Sequence, residues 1–152
     1  MSELLSPSIF SKILSREIPW VILCTSKTCF SILTNKQAQA WHALILPKRW
    51  ITELEDMNSE EIGEFWIITA LVSEALKKVF EVPKVWLLRS WFEISHYHQH
   101  LIPVRAWKDI SIQEVTEVSL SERRKQWIDI QEVLRIFWSQ YKWVDFSLPE
   151  NS

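Results

Sequence analysis

The stretch HYHQHLIP, residues 96–103, holds three of the chain's four histidines within five positions. It ends in Leu101, Ile102 and Pro103 and reads as a β-strand. Residues two apart on a strand point to the same side. His96, His98 and His100 therefore form a row on one face, while Tyr97, Gln99 and Leu101 turn to the other. Closely spaced imidazoles penalise one another's protonation, so such a row makes poor structural filler. Two chemistries suit it. Imidazole binds transition metals, and Glu93 is the nearest acidic residue that could join the ligand set. Imidazole is also a good nucleophile when another group holds its far nitrogen. Its neighbours can then neutralise phosphoryl oxygens as charge builds on them.

Upstream, Trp41–Leu46 (WHALIL) reads as another strand, ended by Pro47 and followed by Lys48 and Arg49. Alternation puts His42, Leu44 and Leu46 on one face and Trp41, Ala43 and Ile45 on the other. If this strand neighbours the histidine row, all four histidines converge. Between the two lies the strongest helix signal. Asn58 and Glu61 form a capping box, and Pro83 stops the helix. Its expected apolar stripe is Ile62, Phe65, Trp66, Thr69, Val72, Leu76, Val79 and Phe80. Lys84–Leu88 makes a fourth strand and His96–Pro103 a fifth.

Nearer the N-terminus, Ser6–Ile18 reads as a short helix with Ile9, Phe10, Ile13 and Leu14 on one face. Val21–Cys24 and Cys29–Leu33 form a hairpin across TSKT. After Arg105, the stretch AWKDISIQEVTEVSL (residues 106–120) alternates weakly. Ser121 then caps a helix over Glu122–Tyr141, lined by Trp127, Ile130, Leu134, Phe137 and Trp138. The sum is an α+β fold: about five strands, mostly antiparallel, one covering helix and a helical extension.

Bulk properties narrow the functional classes. A chain of 152 residues with 47% hydrophobic side chains supports one core. Seventeen basic residues against nineteen acidic ones, with no basic stripe, argue against a dedicated nucleic-acid binder. The apolar run WIITALV is too short to cross a bilayer. MSELLSPSIF lacks the basic start and apolar stretch of a signal peptide. Cys24 and Cys29 are too few for a disulfide scaffold and read as buried thiols of a reducing compartment. These features lead to the expectation of a soluble cytoplasmic protein, not bound to membrane or nucleic acid. Gly63 is the one glycine, against ten tryptophans, although positions of positive φ favour glycine.

HYHQHLIP resembles the histidine triad (HIT) motif, in which three histidines alternate with mostly apolar residues. WHALILPKRW, residues 41–50, is similar to that family's "PGH, apolar run, P, K, x, H" segment, and FSKILSREIPW, residues 10–20, to its N-terminal phrase. The resemblance spans Ile9–Arg105 and implies a HIT-like domain over residues 7–106, with residues 107–152 as a C-terminal extension carrying one long helix. It implies a nucleotidyl hydrolase or transferase acting at the α-phosphorus of nucleoside phosphoramidates or dinucleoside polyphosphates. It also implies pairing as homodimers through a combined sheet and no requirement for a metal or other cofactor. By this resemblance His98 is the nucleophile, forming a nucleotidyl-histidine. His100 contacts the phosphate and leaving group, His96 supports the row, and His42 orients it. Ile9, Ile13, Thr34 and Asn35 occupy the ground where base and ribose bind.

The chain departs from the family pattern in places that matter. Trp41 stands where the family has glycine, Trp91-Phe92 replaces a glycine–glutamine pair, Glu93 replaces a small hydroxyl residue, and Trp50 replaces a histidine. Tryptophans at those glycine positions would narrow the nucleotide cleft, and Glu93 would repel a phosphate unless paired with a cation such as Arg89. A catalytically impaired nucleotide-binding or protein-interaction module, and a metal-dependent histidine-cluster enzyme, are therefore the alternatives.

Overall fold

In the computed structural model, residues 9–89, 94–107, 114–138 and 141–145 are described. Five strands form one antiparallel sheet: β1 (Ile22–Thr25), β2 (Cys29–Leu33), β4 (Ala43–Pro47), β5 (Lys84–Arg89) and β6 (Gln99–Val104), in the order β1-β2-β4-β6-β5. A short ribbon pairs β3 (Lys36–Gln37) with β7 (Thr116–Glu117). The helices are α1 (Ile9–Leu14), α2 (Ser59–Phe80) and α3 (Leu120–Trp138). The α+β class and the antiparallel sheet match the sequence reading.

Alternation along the strands divides the core in two. Leu33, Ala43, Ile45, Tyr97 and Leu101 face α2 and α3, packing with Phe65, Ile68, Leu76, Ile130 and Leu134. Phe30, Ile32, Leu44 and Leu46 face the other way, against Phe10 and Ile13 of α1. The expected separation of Leu44 and Leu46 from Ala43 and Ile45 thus holds.

The capping box of α2 is complete: the Glu61 N–H donates to Asn58 Oδ1 at 2.9 Å and the Asn58 N–H to Glu61 Oε1 at 3.0 Å. Such a cap contributes about 1 kcal/mol. Arg49 Nη2 also donates to Glu61 Oε1, at 2.8 Å, tying the end of β4 to the start of α2. The buried stripe is Glu61, Phe65, Ile68, Thr69, Leu71, Val72, Ala75 and Leu76. Ile62 and Trp66, which the periodicity assigned to it, are 38% and 42% exposed. The stripe is broader and rotated because α3 also packs on α2.

Several boundaries differ from expectation. The proposed start of the first helix at Ser6 lies outside the described residues, and α1 ends at Leu14, not Ile18, because Arg16 turns left-handed at φ 66°. The third strand starts at Ala43, not Trp41, because Trp41 lies in a turn at φ 60°. The fifth strand begins at Gln99, so His96 and His98 precede it. Ser119, not Ser121, caps α3, its Oγ accepting from the Glu122 N–H at 3.2 Å. The side chains of Phe137 and Trp138 lie outside the described set, as do Trp91, Phe92, Glu93 and residues 108–113. Cys24 and Cys29 are buried free thiols. Burial raises both pKa values, that of Cys29 to about 12.

Candidate active site

Two strands and one extended segment bring the four histidines together. In the pairing of β4 with β6, Leu44 lies opposite His100 and Ala43 opposite Leu101. His42, just before β4, therefore reaches His100: its Nε2 is 2.8 Å from His100 Nδ1. The His98 and His100 rings lie 5.2 Å apart, and Phe10 of α1 packs against His96 and His98 at 5.5 and 5.4 Å. Phe10 was legible in the sequence only as an apolar residue of the first helix. Tyr97 turns to the opposite face, where its ring meets Phe65, and its N–H donates to the Ile51 carbonyl at 2.7 Å.

Backbone partners fix where each imidazole proton sits. The Ala38 N–H, which can only donate, lies 3.0 Å from His42 Nδ1. That nitrogen therefore carries the lone pair, and Nε2–H donates to His100 Nδ1. Neutral His100 is consequently protonated on Nε2. His98 Nδ1 is 2.7 Å from the His96 carbonyl, which can only accept, so Nδ1 bears the proton and Nε2 the lone pair. His96 Nε2–H donates to the Pro47 carbonyl at 2.9 Å. The row thus combines one basic nitrogen on His98 with one N–H donor on His100.

Burial holds these rings neutral. It is the main cause in each case, reinforced by His100 at His42 and by His98 at His96 and His100. It lowers His42 to about 3 and His96 and His100 to about 4; His98 is also lowered. Against the ordinary value of 6.5, the unfolded chain binds more protons than the folded one over this interval. The contribution of the histidines to stability is thus fully present above about pH 6.5 and is lost progressively as pH falls towards about 4. Each group contributes a slope of up to about 1.4 kcal/mol per pH unit. Chemical denaturation at a series of pH values should show stability falling from pH 6.5 to 4.5. A His42→Gln/His100→Gln variant should show a shallower fall, and an identical slope in both proteins would overturn this account.

The residues suggested for base and ribose are distributed differently. Ile9 is 41% exposed on α1, whereas Ile13 is 1% exposed and belongs to the core beneath it. Thr34 lies beside the histidines, its N–H donating to the His42 carbonyl at 3.1 Å. Asn35 is engaged by the extension: its Nδ2 donates to Glu117 at 3.1 Å and its carbonyl accepts from the Val118 N–H at 2.7 Å. Arg49 is committed to Glu61 and the Asp56 carbonyl. Arg89 pairs with Glu53 and lies 4.7 Å from the Tyr97 ring centroid; Glu93 lies outside the described residues. The Trp41 ring packs on Phe80, 4.7 Å between centroids, on the α2 side of the sheet and away from the histidine row. Among the described residues, no three His, Cys, Asp or Glu side chains are arranged to hold a metal ion. No helix among them is long and apolar enough to cross a membrane.

The model of the HIT domain matches residues 15–107, more than half of the chain. An adenosine 5'-monophosphoramidase of Saccharomyces cerevisiae is 32% identical over 98 residues, covering 64% of this chain and 62% of the relative. A bis(5'-adenosyl)-triphosphatase of Dictyostelium discoideum is 23% identical over 95 residues, 56% of this chain and 64% of its own. The chain thus spans less than two thirds of the length of either protein. Among solved structures, a hypothetical histidine triad nucleotide-binding protein of Sulfolobus tokodaii superposes with a TM-score of 0.74 at 19% identity, covering 86% of this chain and 94% of that one. A zinc-bound histidine triad family protein of Mycobacterium smegmatis gives 0.71 at 17%, covering 87% and 96%.

Proposed function

The chain belongs to the HIT domain family, and from that premise we propose that it cleaves or transfers nucleoside monophosphates at the α-phosphorus. Its substrates are nucleoside phosphoramidates or dinucleoside polyphosphates. The observation that carries this reading is the tautomer of His98, whose Nδ1–H is held by the His96 carbonyl. Its other nitrogen is left basic at neutral pH.

In the first step His98 Nε2 forms a bond to phosphorus as the bond to the leaving group breaks. The electron pair goes with the leaving group, which takes up a proton from solvent. His100 Nε2–H donates a hydrogen bond to the charge that builds there. The imidazolium formed on His98 keeps its Nδ1–H on the His96 carbonyl. Water then attacks phosphorus, the bond to His98 breaks, and nucleoside monophosphate and a proton leave. An acceptor other than water makes the same step a transfer. Phe10 packs on His96 and His98 from the α1 side, and in this reading Thr34, whose N–H donates to the His42 carbonyl, meets the ribose.

The impaired-module alternative drew on Trp41, Trp91 and Glu93; the Trp41 ring packs on Phe80, behind the sheet, and Trp91 and Glu93 lie outside the described residues. In keeping with the family, the proposal extends to a homodimer. Among the described residues β5 pairs on one side alone, with β6, which leaves an edge for a second sheet. Sedimentation at the mass of one chain would remove that part.

Rapid mixing of the protein with a fluorogenic adenosine phosphoramidate and with a diadenosine polyphosphate tests the reaction. A burst equal to the enzyme concentration, with a nucleotidyl adduct on the His98 peptide, is the expected result. Turnover without any adduct on His98 under quenched conditions would sink the covalent route.

A further inference from the structure

The connection between β2 and β4 carries His42, and it is braced from outside the sheet. Gln37 and Gln126 are both buried and exchange two side-chain hydrogen bonds: Gln37 Nε2–H to Gln126 Oε1 at 2.8 Å, and Gln126 Nε2–H to Gln37 Oε1 at 3.0 Å. Gln37 Nε2 also donates to the Thr34 carbonyl at 3.1 Å. Its primary amide is thereby used on both hydrogens and on its oxygen. The next residue, Ala38, provides the N–H that sets the His42 tautomer. The β3–β7 ribbon clamps the same turn, with Lys36 opposite Glu117 and Gln37 opposite Thr116. Apart from Asn35, the residue types that usually dominate turns (glycine, proline, aspartate and serine) are missing from residues 35–41.

We infer that Gln126 of α3 is a positioning residue of the active site, acting through Gln37 and the Ala38 N–H to hold His42 in the tautomer that donates to His100. The path is short. Removing the Gln126 amide leaves a buried Gln37 amide short of two partners, and a desolvated amide moves or recruits water to recover them. Movement of Gln37 carries Ala38 with it, because the two share a peptide bond. Once the Ala38 N–H leaves His42 Nδ1, nothing prevents that nitrogen from taking the proton. His100 then loses the donor on its Nδ1, and its own proton is no longer confined to Nε2. A residue far along the chain from the histidines would thus determine which nitrogen of His100 carries the proton.

The chemistry affected rests on the nucleotidyl transfer proposed above, but the tautomer does not, so the primary readout is spectroscopic. Long-range proton–nitrogen spectra of the full-length chain, at neutral pH, should show wild-type His42 with a pyridine-type Nδ1 and a protonated Nε2. Gln126→Met, which keeps the side-chain length, should show both His42 tautomers in exchange. Its kcat for adenosine phosphoramidate should fall by up to about a hundredfold, as misplacement of a reacting group does, with KM changed less than threefold. In Gln37→Met/Gln126→Met no buried amide is left short of partners, so both stability and the single His42 tautomer should recover. Ile130→Val loosens the same helix without touching the turn and should leave His42 as in wild type. The inference is overturned if Gln126→Met keeps a single Nε2–H tautomer at His42, if the double variant shows the same exchange as Gln126→Met, or if Ile130→Val disturbs His42 equally. Absence of turnover in wild type with the tautomer in place would count against the proposed function, and the spectra of the variants would still decide the role of Gln126.

Discussion

Replacing His98 by alanine is expected to lower the turnover of an adenosine phosphoramidate by more than about a thousandfold, since loss of a nucleophile removes a covalent route as a whole. His100→Ala should be milder in the first step, because it removes one hydrogen-bond donor, worth about 10²–10³ in rate at comparable sites. The difference follows from the tautomers. His98 offers the lone pair, with its far nitrogen tied to the His96 carbonyl at 2.7 Å. His100 offers an N–H because His42 donates to its other side. Stopped-flow measurement with both variants, alongside circular dichroism to confirm the fold, checks the order. Equal activity of His98→Ala and wild type would eliminate the nucleophile assignment.

The second large effect concerns stability. Phe65 is fully buried on α2 and meets the Tyr97 ring, 5.7 Å between centroids. Phe65→Ala is expected to destabilise the fold by about 3–5 kcal/mol, the transfer cost plus the cavity left between α2 and the sheet. Trp66→Ala, one residue further on, should cost less, about 1 kcal/mol, because that ring is 42% exposed and meets the Phe65 ring edge-on at 5.5 Å between centroids. Urea titration of the two variants measures the contrast. Tyr97 lies between His96 and His98 in the chain, so Phe65→Ala should also broaden the signals of both imidazoles. A loss below about 1.5 kcal/mol for Phe65→Ala would show that α2 relaxes onto the sheet and closes the cavity.

Much of this was legible from local pattern. Alternation assigned Leu44 and Leu46 to one face and Ala43 and Ile45 to the other, because a strand has a period of two whatever it packs against; Tyr97 also turns away from the histidine row, although it precedes β6. The capping box at Asn58 and Glu61 was legible because it needs only two residues three apart. The convergence of His42 on His100 was expected from economy and is present at 2.8 Å.

The residues that local pattern missed are those whose partners lie far along the chain. Gln37 and Gln126 are 89 positions apart, and a lone glutamine in a polar turn carries no periodic signal. The two-residue strands β3 and β7 are too short for alternation to register. Ile62 and Trp66 were misassigned because periodicity counts apolar residues without knowing that α3 would cover another part of α2. Trp41 is a different case. The family's glycine at that place has a physical reason here, because the backbone adopts φ 60°, a conformation that costs a residue with a side chain about 1–2 kcal/mol. What sequence alone left open was where the indole goes, and it goes behind the sheet.

The ribbon of β3 and β7 also sets an order in time. All five strands of the main sheet, and with them the four histidines, are free to fold once Val104 has left the ribosome. The turn that aims His42 still awaits Thr116, Glu117 and finally Gln126, 22 residues later. Translation at about 5–20 residues per second makes that an interval of about 1–4 s. During it the nascent chain holds all four histidines but not yet the brace on the turn that carries His42. The proton arrangement around His42 is thus completed only after the strands that carry the histidines are in place.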